Sequence, residues 1–199
     1  MERIAALTDA PARAPSEPGG IDPQGASVLR KLRARDRSAL GDLSERFGPA
    51  LARAAFLYLG DADLAADAAQ ETLIAAWDGA RRTGESTRLR PWIFGILFNR
   101  ARKIARTESR RRAREMRSVA ERPLPAARAE EELRDERVEA LGRALAGLAP
   151  PLREVIILRY KQGLTVAEAA EALGLPEGTV KSRVHAGIKR LREEMERES

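Results

Sequence analysis

Residues 165–191 read TVAEAAEALGLPEGTVKSRVHAGIKRL, and this stretch decides how the C-terminal part of the chain folds. Thr165, followed three residues later by Glu168, forms a capping box, which starts a helix. Gly174 makes the turn after that helix, and Pro176 lies where the first turn of a second helix tolerates a proline. A helix, a short glycine-containing turn and a second helix together predict a helix-turn-helix.

The second helix of this motif has two contrasting faces. Its apolar stripe holds Val180, Val184, Ile188, Leu191 and Met195. At about 100° per residue, the opposite face holds Gly178, Ser182, His185, Ala186 and Lys189, flanked by Thr179, Lys181 and Arg190. Small, hydrogen-bonding and cationic side chains of this kind can enter a DNA major groove. The alternative is an ordinary amphipathic bundle helix, but Gly178 in the first turn destabilises a helix without adding packing.

The N-terminal part also has a helical pattern, after a leader rich in proline, alanine and glycine over residues 1–26 that predicts disorder. From Ser27, leucines and Phe47 recur at helical spacing until Gly48 and Pro49 predict a break. A second helix is expected over residues 51–59, a third over about 63–77 and a fourth from Pro91, with a polar loop over residues 83–90. The third helix directs Asp67, Gln70 and Glu71 away from its apolar side.

Positive charge is concentrated between residues 88 and 117. Eleven arginine or lysine residues in this stretch are opposed only by Glu108 and Glu115, which gives a local charge of +9. The whole chain carries +6, so the remainder is slightly acidic. A solvated helix face would alternate the two signs. A block of one sign predicts a nucleic-acid footprint instead.

The composition excludes several kinds of site. The chain has 199 residues and no cysteine, which excludes disulfides, thiolate zinc sites and a cysteine nucleophile. His185 is the only histidine, and residues 178–182 lack the strand that precedes a phosphate-binding loop. Asp67 and Glu71 have no histidine near them in sequence, so we predict no metal, cofactor or catalytic residue. No apolar run approaches the roughly 20 residues that span a bilayer, and no signal peptide is evident. We therefore predict a cytoplasmic protein without membrane insertion.

These patterns predict an all-α protein of two small helical domains joined by a flexible linker. The N-terminal domain is expected over residues 27–110 and the C-terminal domain over residues 136–195. Residues 111–135 are the predicted linker, because Pro123 and Pro125 interrupt a stretch that has no helical period.

Two pairs of segments resemble signatures of bacterial RNA polymerase sigma factors. DAAQETL at residues 67–73, followed by Ala76 and Trp77, and PWIFGILFNR at residues 91–100 resemble sigma region 2. LREV at residues 152–155 and EGTVKSR at residues 177–183 resemble sigma region 4. Their order and spacing, without regions 1 and 3, are similar to the extracytoplasmic-function group. The resemblance covers about residues 28–109 and 136–195.

The resemblance implies a role for each predicted site. In region 2, Asp67, Gln70 and Glu71 would dock on the clamp helices of the polymerase β′ subunit. The residues implied in reading the separated non-template strand of the minus-ten element are Arg88, Arg90, Asn99, Arg100 and Lys103. Region 4 would face the β flap with its upstream helix. The residues implied in reading the minus-thirty-five duplex are Gly178, Thr179, Lys181, Ser182, Arg183, His185 and Lys189. The resemblance also implies control by an anti-sigma factor.

The chain departs from its relatives at four positions, and other functions stay open. Lys103 stands where many relatives have aspartate, Ala186 and Ile188 where many have arginine, and Leu73 where phenylalanine is usual. An arginine missing from the groove face removes one candidate guanine contact at the minus-thirty-five element. A stand-alone DNA-binding regulator of the response-regulator output type would not need the signature at residues 67–77. A sigma-mimicking adaptor would not need the basic stretch.

Overall fold

The computed structural model of the protein describes residues 22–118 and 143–197, and only the backbone of 112–118 and 194–197. Within those ranges the regular elements are helices, and the predicted all-α fold class is confirmed. Residues 1–21 of the predicted leader, residues 119–135 of the predicted linker and residues 136–142 of the predicted C-terminal domain lie outside the described residues. Among the helices that the structure describes, none is long and apolar enough to cross a bilayer.

The N-terminal domain is built from four helices and a short 3-10 turn. They are α1 (Pro23–Arg33), α2 (Ser38–Leu59), α3 (Ala62–Gly79), the 3-10 turn Ala80–Arg82 and α4 (Leu89–Ser118). The core of this domain consists mainly of leucine, alanine and phenylalanine side chains, among them the fully buried Leu43, Leu51, Phe94 and Phe98.

The main differences from the sequence prediction in this domain concern where α1 begins and how the next helices are divided. The leader was predicted to reach residue 26, but α1 begins at Pro23, because the carboxylate of Asp22 accepts a hydrogen bond from the Gly25 N–H at 2.9 Å and caps the helix. The helix predicted from Ser27 to Phe47 is divided near Arg35, whose φ of 60° is left-handed. The break predicted at Gly48 and Pro49 is wrong, because α2 continues through Pro49.

Two kinds of tertiary contact explain the last two differences. The guanidinium of Arg35 lies 5.0 Å from the centre of the Trp77 ring and donates to the Trp77 carbonyl at 3.2 Å, so the turn is held by a helix 42 residues away. Around Pro49, the buried Phe47 and Leu51 lie in the same hydrophobic core. Burial of this apolar face offsets the hydrogen bond that a proline removes from a helix interior.

The C-terminal domain contains the predicted helix-turn-helix. Its elements are α5 (Pro150–Ile156), a π-helical turn (Ile157–Lys161), α6 (Val166–Leu173) and α7 (Glu177–Arg197), preceded by a helical segment at residues 143–146. The capping box is present, since Thr165 Oγ1 accepts from Glu168 N at 3.1 Å and Thr165 N donates to Glu168 Oε2 at 2.8 Å. Gly174 ends α6 in the left-handed conformation, with φ 64°.

The two domains pack against each other through one continuous hydrophobic core. Helix α4 of the N-terminal domain contacts α6 of the C-terminal domain, and α2 contacts α5 and the π-helical turn. Helix α4 also continues to Ser118, so residues 111–118 are helical where the linker was predicted to begin. The sequence there has no proline or glycine to stop a helix, and Arg111 pairs with Glu108 at 2.9 Å on the helix surface.

Candidate nucleic-acid interface

Helix α3 presents a polar face to solvent, as the sequence predicted. Asp67, Gln70 and Glu71 are exposed, while the opposite side of the helix buries Ala65, Ala68, Ala69, Thr72 and Ala76. Ile74, which the sequence analysis did not identify, is 54% exposed. It lies seven residues after Asp67, about two helical turns, and therefore on the same face. Helical spacing alone was a sufficient signal to place an apolar side chain within this polar face.

A cavity of about 460 Å³ opens on the N-terminal domain where α3, the 3-10 turn and α4 meet. Three of the five predicted minus-ten residues, Asn99, Arg100 and Lys103, line it together. The other lining residues are Ala75, Gly79, Arg82, Thr83, Trp92 and Ile96. An aromatic ring beside several cations and an amide is the composition that binds an unstacked base and its phosphates, and the volume falls in the range of about 300–1,000 Å³ typical of ligand pockets.

The rim of this cavity is held by two arginines that the sequence analysis did not assign to it. Arg33 of α1 donates from Nε to Thr83 Oγ1 at 3.0 Å and from Nη2 to the Gly84 carbonyl. Arg102 of α4 donates from Nη2 to Asn99 Oδ1 at 2.7 Å. No periodicity in the sequence could identify Arg33, because its partners lie about 50 residues away.

The other two predicted minus-ten residues face the C-terminal domain and do not line the cavity. Arg88 donates from Nε to Glu171 Oε2 at 2.9 Å, and its Nη1 lies 4.0 Å from Glu168 Oε1. Arg90 donates to the backbone carbonyl of Gln162. The structure thus divides the five residues into a cavity group and a pair that binds α6 and the turn before it.

A buried carboxylate lies between the two domains. The Glu154 residue is 3% exposed, and Arg102 Nε lies 3.6 Å from its Oε1. Burial raises the pKa of Glu154, against the opposing effects of Arg102, a hydrogen bond from Tyr58, Arg183 and Arg106. Burial likewise raises the pKa of Tyr58 to about 12, with the negative charge of Glu154 acting in the same direction.

The predicted minus-thirty-five face of α7 is largely exposed. Gly178, Lys181, Ser182, His185 and Lys189 are exposed, and Thr179 and Arg183 are half-buried. Arg183 differs from the others because its charge acts on the buried Glu154. The Ser182 hydroxyl donates to the Thr179 carbonyl at 3.0 Å, within its own helix.

The packed side of α7 depends on a glycine that the sequence analysis did not identify. A Cβ atom on Gly187 would lie 2.9 Å from Ile156 Cγ1 of α5. This close approach seats α7 on α5 and leaves the opposite face of α7 toward solvent. By contrast, a Cβ atom on Gly178 would meet nothing within 4 Å, in agreement with the prediction that this glycine does not serve packing.

Both domains match known family models. Residues 43–111 match the family described as Sigma-70 region 2, and residues 138–191 match Sigma-70, region 4. The chain is 34% identical over 165 residues to the ECF RNA polymerase sigma factor SigL of Mycobacterium tuberculosis. This match covers 80% of this chain and 90% of SigL. It is 25% identical over 181 residues to the ECF sigma factor SigW of Bacillus subtilis, covering 84% of this chain and 94% of SigW.

Two solved structures of similar proteins cover most of the chain. The structure of CnrH in complex with the cytosolic domain of CnrY has a TM-score of 0.69 and 25% identity, and the match covers 88% of this chain and 99% of CnrH. The sigma factor RpoE of Bartonella quintana, solved in complex with the anti-sigma factor NepR, has a TM-score of 0.56 and 29% identity, with 78% of this chain and 97% of RpoE covered.

Proposed function

Because the chain belongs to the ECF family of RNA polymerase sigma factors, it directs core RNA polymerase to promoters, and we propose how its surfaces divide that task. The N-terminal domain reads the minus-ten element as a separated strand, with a base in the cavity lined by Asn99, Arg100, Lys103 and Trp92. The observation that carries this proposal is the meeting of these side chains, from about three turns of α4, around one cavity of about 460 Å³. The protein works in the cytoplasm, beside the polymerase, and contributes no catalytic residue.

The C-terminal domain reads the minus-thirty-five duplex with α7. The exposed Lys181, Ser182, His185 and Lys189 supply hydrogen-bonding and cationic groups for a major groove. The exposed Gly178 lets the helix approach the DNA closely. Arg183 acts from the edge of this surface, since it is half-buried beside Glu154.

Region 4 must leave region 2 before Arg88 and Arg90 can bind promoter DNA. In the structure the two domains pack against each other, which we call the closed arrangement. There, Glu171 and the carbonyl of Gln162 already accept hydrogen bonds from these guanidiniums. The carboxylates of Glu168 and Glu171 occupy the place that DNA phosphates would take beside Arg88. Binding of core polymerase, which separates the two domains along the promoter, is the step that releases them.

The exposed face of α3 docks on the polymerase β′ clamp helices, with Asp67, Gln70 and Glu71 as polar contacts and Ile74 as the apolar one. Region 4 contacts the β flap. An anti-sigma factor controls the protein by covering one or both domains, and the similarity to RpoE, solved with the anti-sigma factor NepR, supports this part of the proposal.

The test is transcription by core polymerase with this protein on a promoter library randomised across both elements. We expect sequence-selected transcripts from the wild type, loss of preference at one minus-ten position for Asn99→Ala, and no co-elution with core polymerase for Asp67→Arg with Glu71→Arg. The double variant should keep its circular dichroism melting curve, because both side chains are exposed. A protein that binds promoter duplexes but never co-elutes with core polymerase would be a stand-alone regulator instead.

A further inference from the structure

Arg102 is fixed at two points on its own helix, beside the cavity. Its Nε donates to the carbonyl of Phe98 at 3.1 Å, and its Nη2 donates to Oδ1 of Asn99 at 2.7 Å. Phe98 is fully buried, so the first of these anchors belongs to the part of α4 that packs in the core. Arg102 does not line the cavity, whereas Asn99 does. Its effect on a ligand there would pass through the asparagine.

The chemistry of the two side chains determines which way the Asn99 amide faces. A guanidinium has five N–H donors and no acceptor, so the amide atom that contacts it must be the oxygen. The asparagine amide has one oxygen and one NH₂ group with two donors. With its oxygen fixed on Arg102, Asn99 keeps its NH₂ group and both donors free of that contact, and these are the groups it presents first to the cavity, although the oxygen retains a second lone pair. A free asparagine could rotate its amide and offer either group.

We propose that Arg102 is a positioning residue that makes Asn99 a dedicated hydrogen-bond donor, so that the cavity selects a base with an acceptor at that place. A base that presents an exocyclic amino group there, as cytosine N4 or adenine N6 does, would set donor against donor. A carbonyl oxygen of thymine or guanine would be accepted. The inference rests on the proposed minus-ten function of the cavity and adds its base selectivity.

A different role for Arg102 has to be separated from this one. Arg102 Nε also lies 3.6 Å from the buried Glu154 of the C-terminal domain, so its contribution could be an interdomain ion pair alone. Glu154→Gln removes that charge and leaves the contact between Arg102 and Asn99 in place. It is therefore the matched control for any variant of Arg102.

The experiment uses the full chain with core polymerase and the library randomised across both elements, with sequencing of the transcripts. Arg102→Met keeps much of the side-chain length and removes every donor. We expect Arg102→Met to lower discrimination about fivefold to tenfold, which is the value of one hydrogen bond, at the same position that Asn99→Ala affects. Arg102→Met should keep the wild-type preference at the minus-thirty-five element. Glu154→Gln should keep the wild-type preference at the minus-ten position. The variant that combines Arg102→Met with Asn99→Ala should lose no more base discrimination than Asn99→Ala alone.

Asn99→Asp gives a second test that does not depend on the stability of an Arg102 variant. Aspartate keeps the bond to Arg102 but offers the cavity only acceptors, so the preference should invert toward cytosine or adenine. Each of three results would overturn the inference. They are wild-type base discrimination in Arg102→Met, a loss of discrimination in Glu154→Gln equal to that in Arg102→Met, and an unchanged base preference in Asn99→Asp. If Asn99→Ala itself has no effect on any minus-ten position, the proposed role of the cavity fails, and the inference fails with it.

Discussion

The carbonyl oxygen of Ala172 lies 2.6 Å from the place that a Cβ atom on Gly95 would occupy. Gly95 belongs to α4 and Ala172 to α6, so this is a backbone contact between the two domains. The contact between Arg88 and Glu171 lies in the same interface, and the Arg153 guanidinium donates to the Tyr58 carbonyl at 2.7 Å. Gly95 is thus the position at which the closed arrangement leaves no room for any side chain.

Substituting Gly95 should open the closed arrangement. Gly95→Ala places a methyl group against a backbone oxygen, which no rotamer change can relieve, although alanine favours the helix itself by about 1 kcal/mol. The chain has no cysteine, so cysteines introduced at the exposed positions Gly41 and Arg192 can carry a donor and an acceptor dye. We expect Gly95→Ala to lower the energy transfer between them in the free protein.

The matched control is Gly48→Ala, which makes the same change in α2. Its Cβ atom would meet only Ser44 Oγ, at 3.8 Å, so its energy transfer should equal that of the parent. Equal transfer in Gly95→Ala and Gly48→Ala would show that the interface does not depend on the close approach at Gly95.

Local signals in the sequence were enough to predict the C-terminal helix-turn-helix. The contacts between the two domains could not be predicted, because their partners lie far apart in the sequence. Thr165 and Glu168 satisfy each other within one helical turn, so a capping box can be read directly. Gly95 is required by its close approach to the Ala172 backbone, 77 residues away. The sequence pattern contained it only as one residue of a family signature. Arg88 and Arg90 were assigned to DNA through the family resemblance, and the positive charge of their stretch supported it, but charge cannot distinguish a phosphate from Glu171.

Arg33 should hold the loop that forms one wall of the cavity proposed to bind the minus-ten strand. Its guanidinium joins α1 to Thr83 and to the Gly84 carbonyl, and α1 lies before the residues matched to the region 2 family. Arg33→Ala should increase hydrogen exchange at residues 80–87, because two anchors of that loop are lost. The comparison is Arg46→Ala, which breaks the 2.7 Å pair with Asp22 in the same domain. Faster exchange in both variants alike would indicate general loosening and not a specific brace.

Tyr58 should ionise only at strongly alkaline pH. Burial, together with the charge of Glu154, raises the pKa of Tyr58 from 10.0 to about 12. Since the folded chain holds this proton more tightly than the unfolded chain, the stabilisation is complete below pH 10 and is lost as the pH rises toward 12. The chain has two tyrosines, so Tyr160→Phe isolates the absorbance of Tyr58. We expect a midpoint near 12 in buffer and near 10 in denaturant. A midpoint near 10 in both buffer and denaturant would show that the Tyr58 phenol is exposed to water in the folded protein.

Ser182→Glu should abolish recognition of the minus-thirty-five duplex without unfolding the protein. Ser182 is exposed on α7, one turn from Gly178 and close to Lys181 and His185, so a carboxylate there would face the DNA phosphates while the buried side of the helix is unchanged. The measurement is affinity of the holoenzyme for promoter duplexes that carry or lack the element, at several salt concentrations. Ser44→Glu, at an exposed serine of α2, makes the same substitution on the other domain and should bind like the parent. Lys181→Ala should lower the salt slope by about 0.9, the value expected for the loss of one phosphate contact, which we assign to Lys181. Parental affinity and element dependence in Ser182→Glu would mean that another face of α7 meets the DNA.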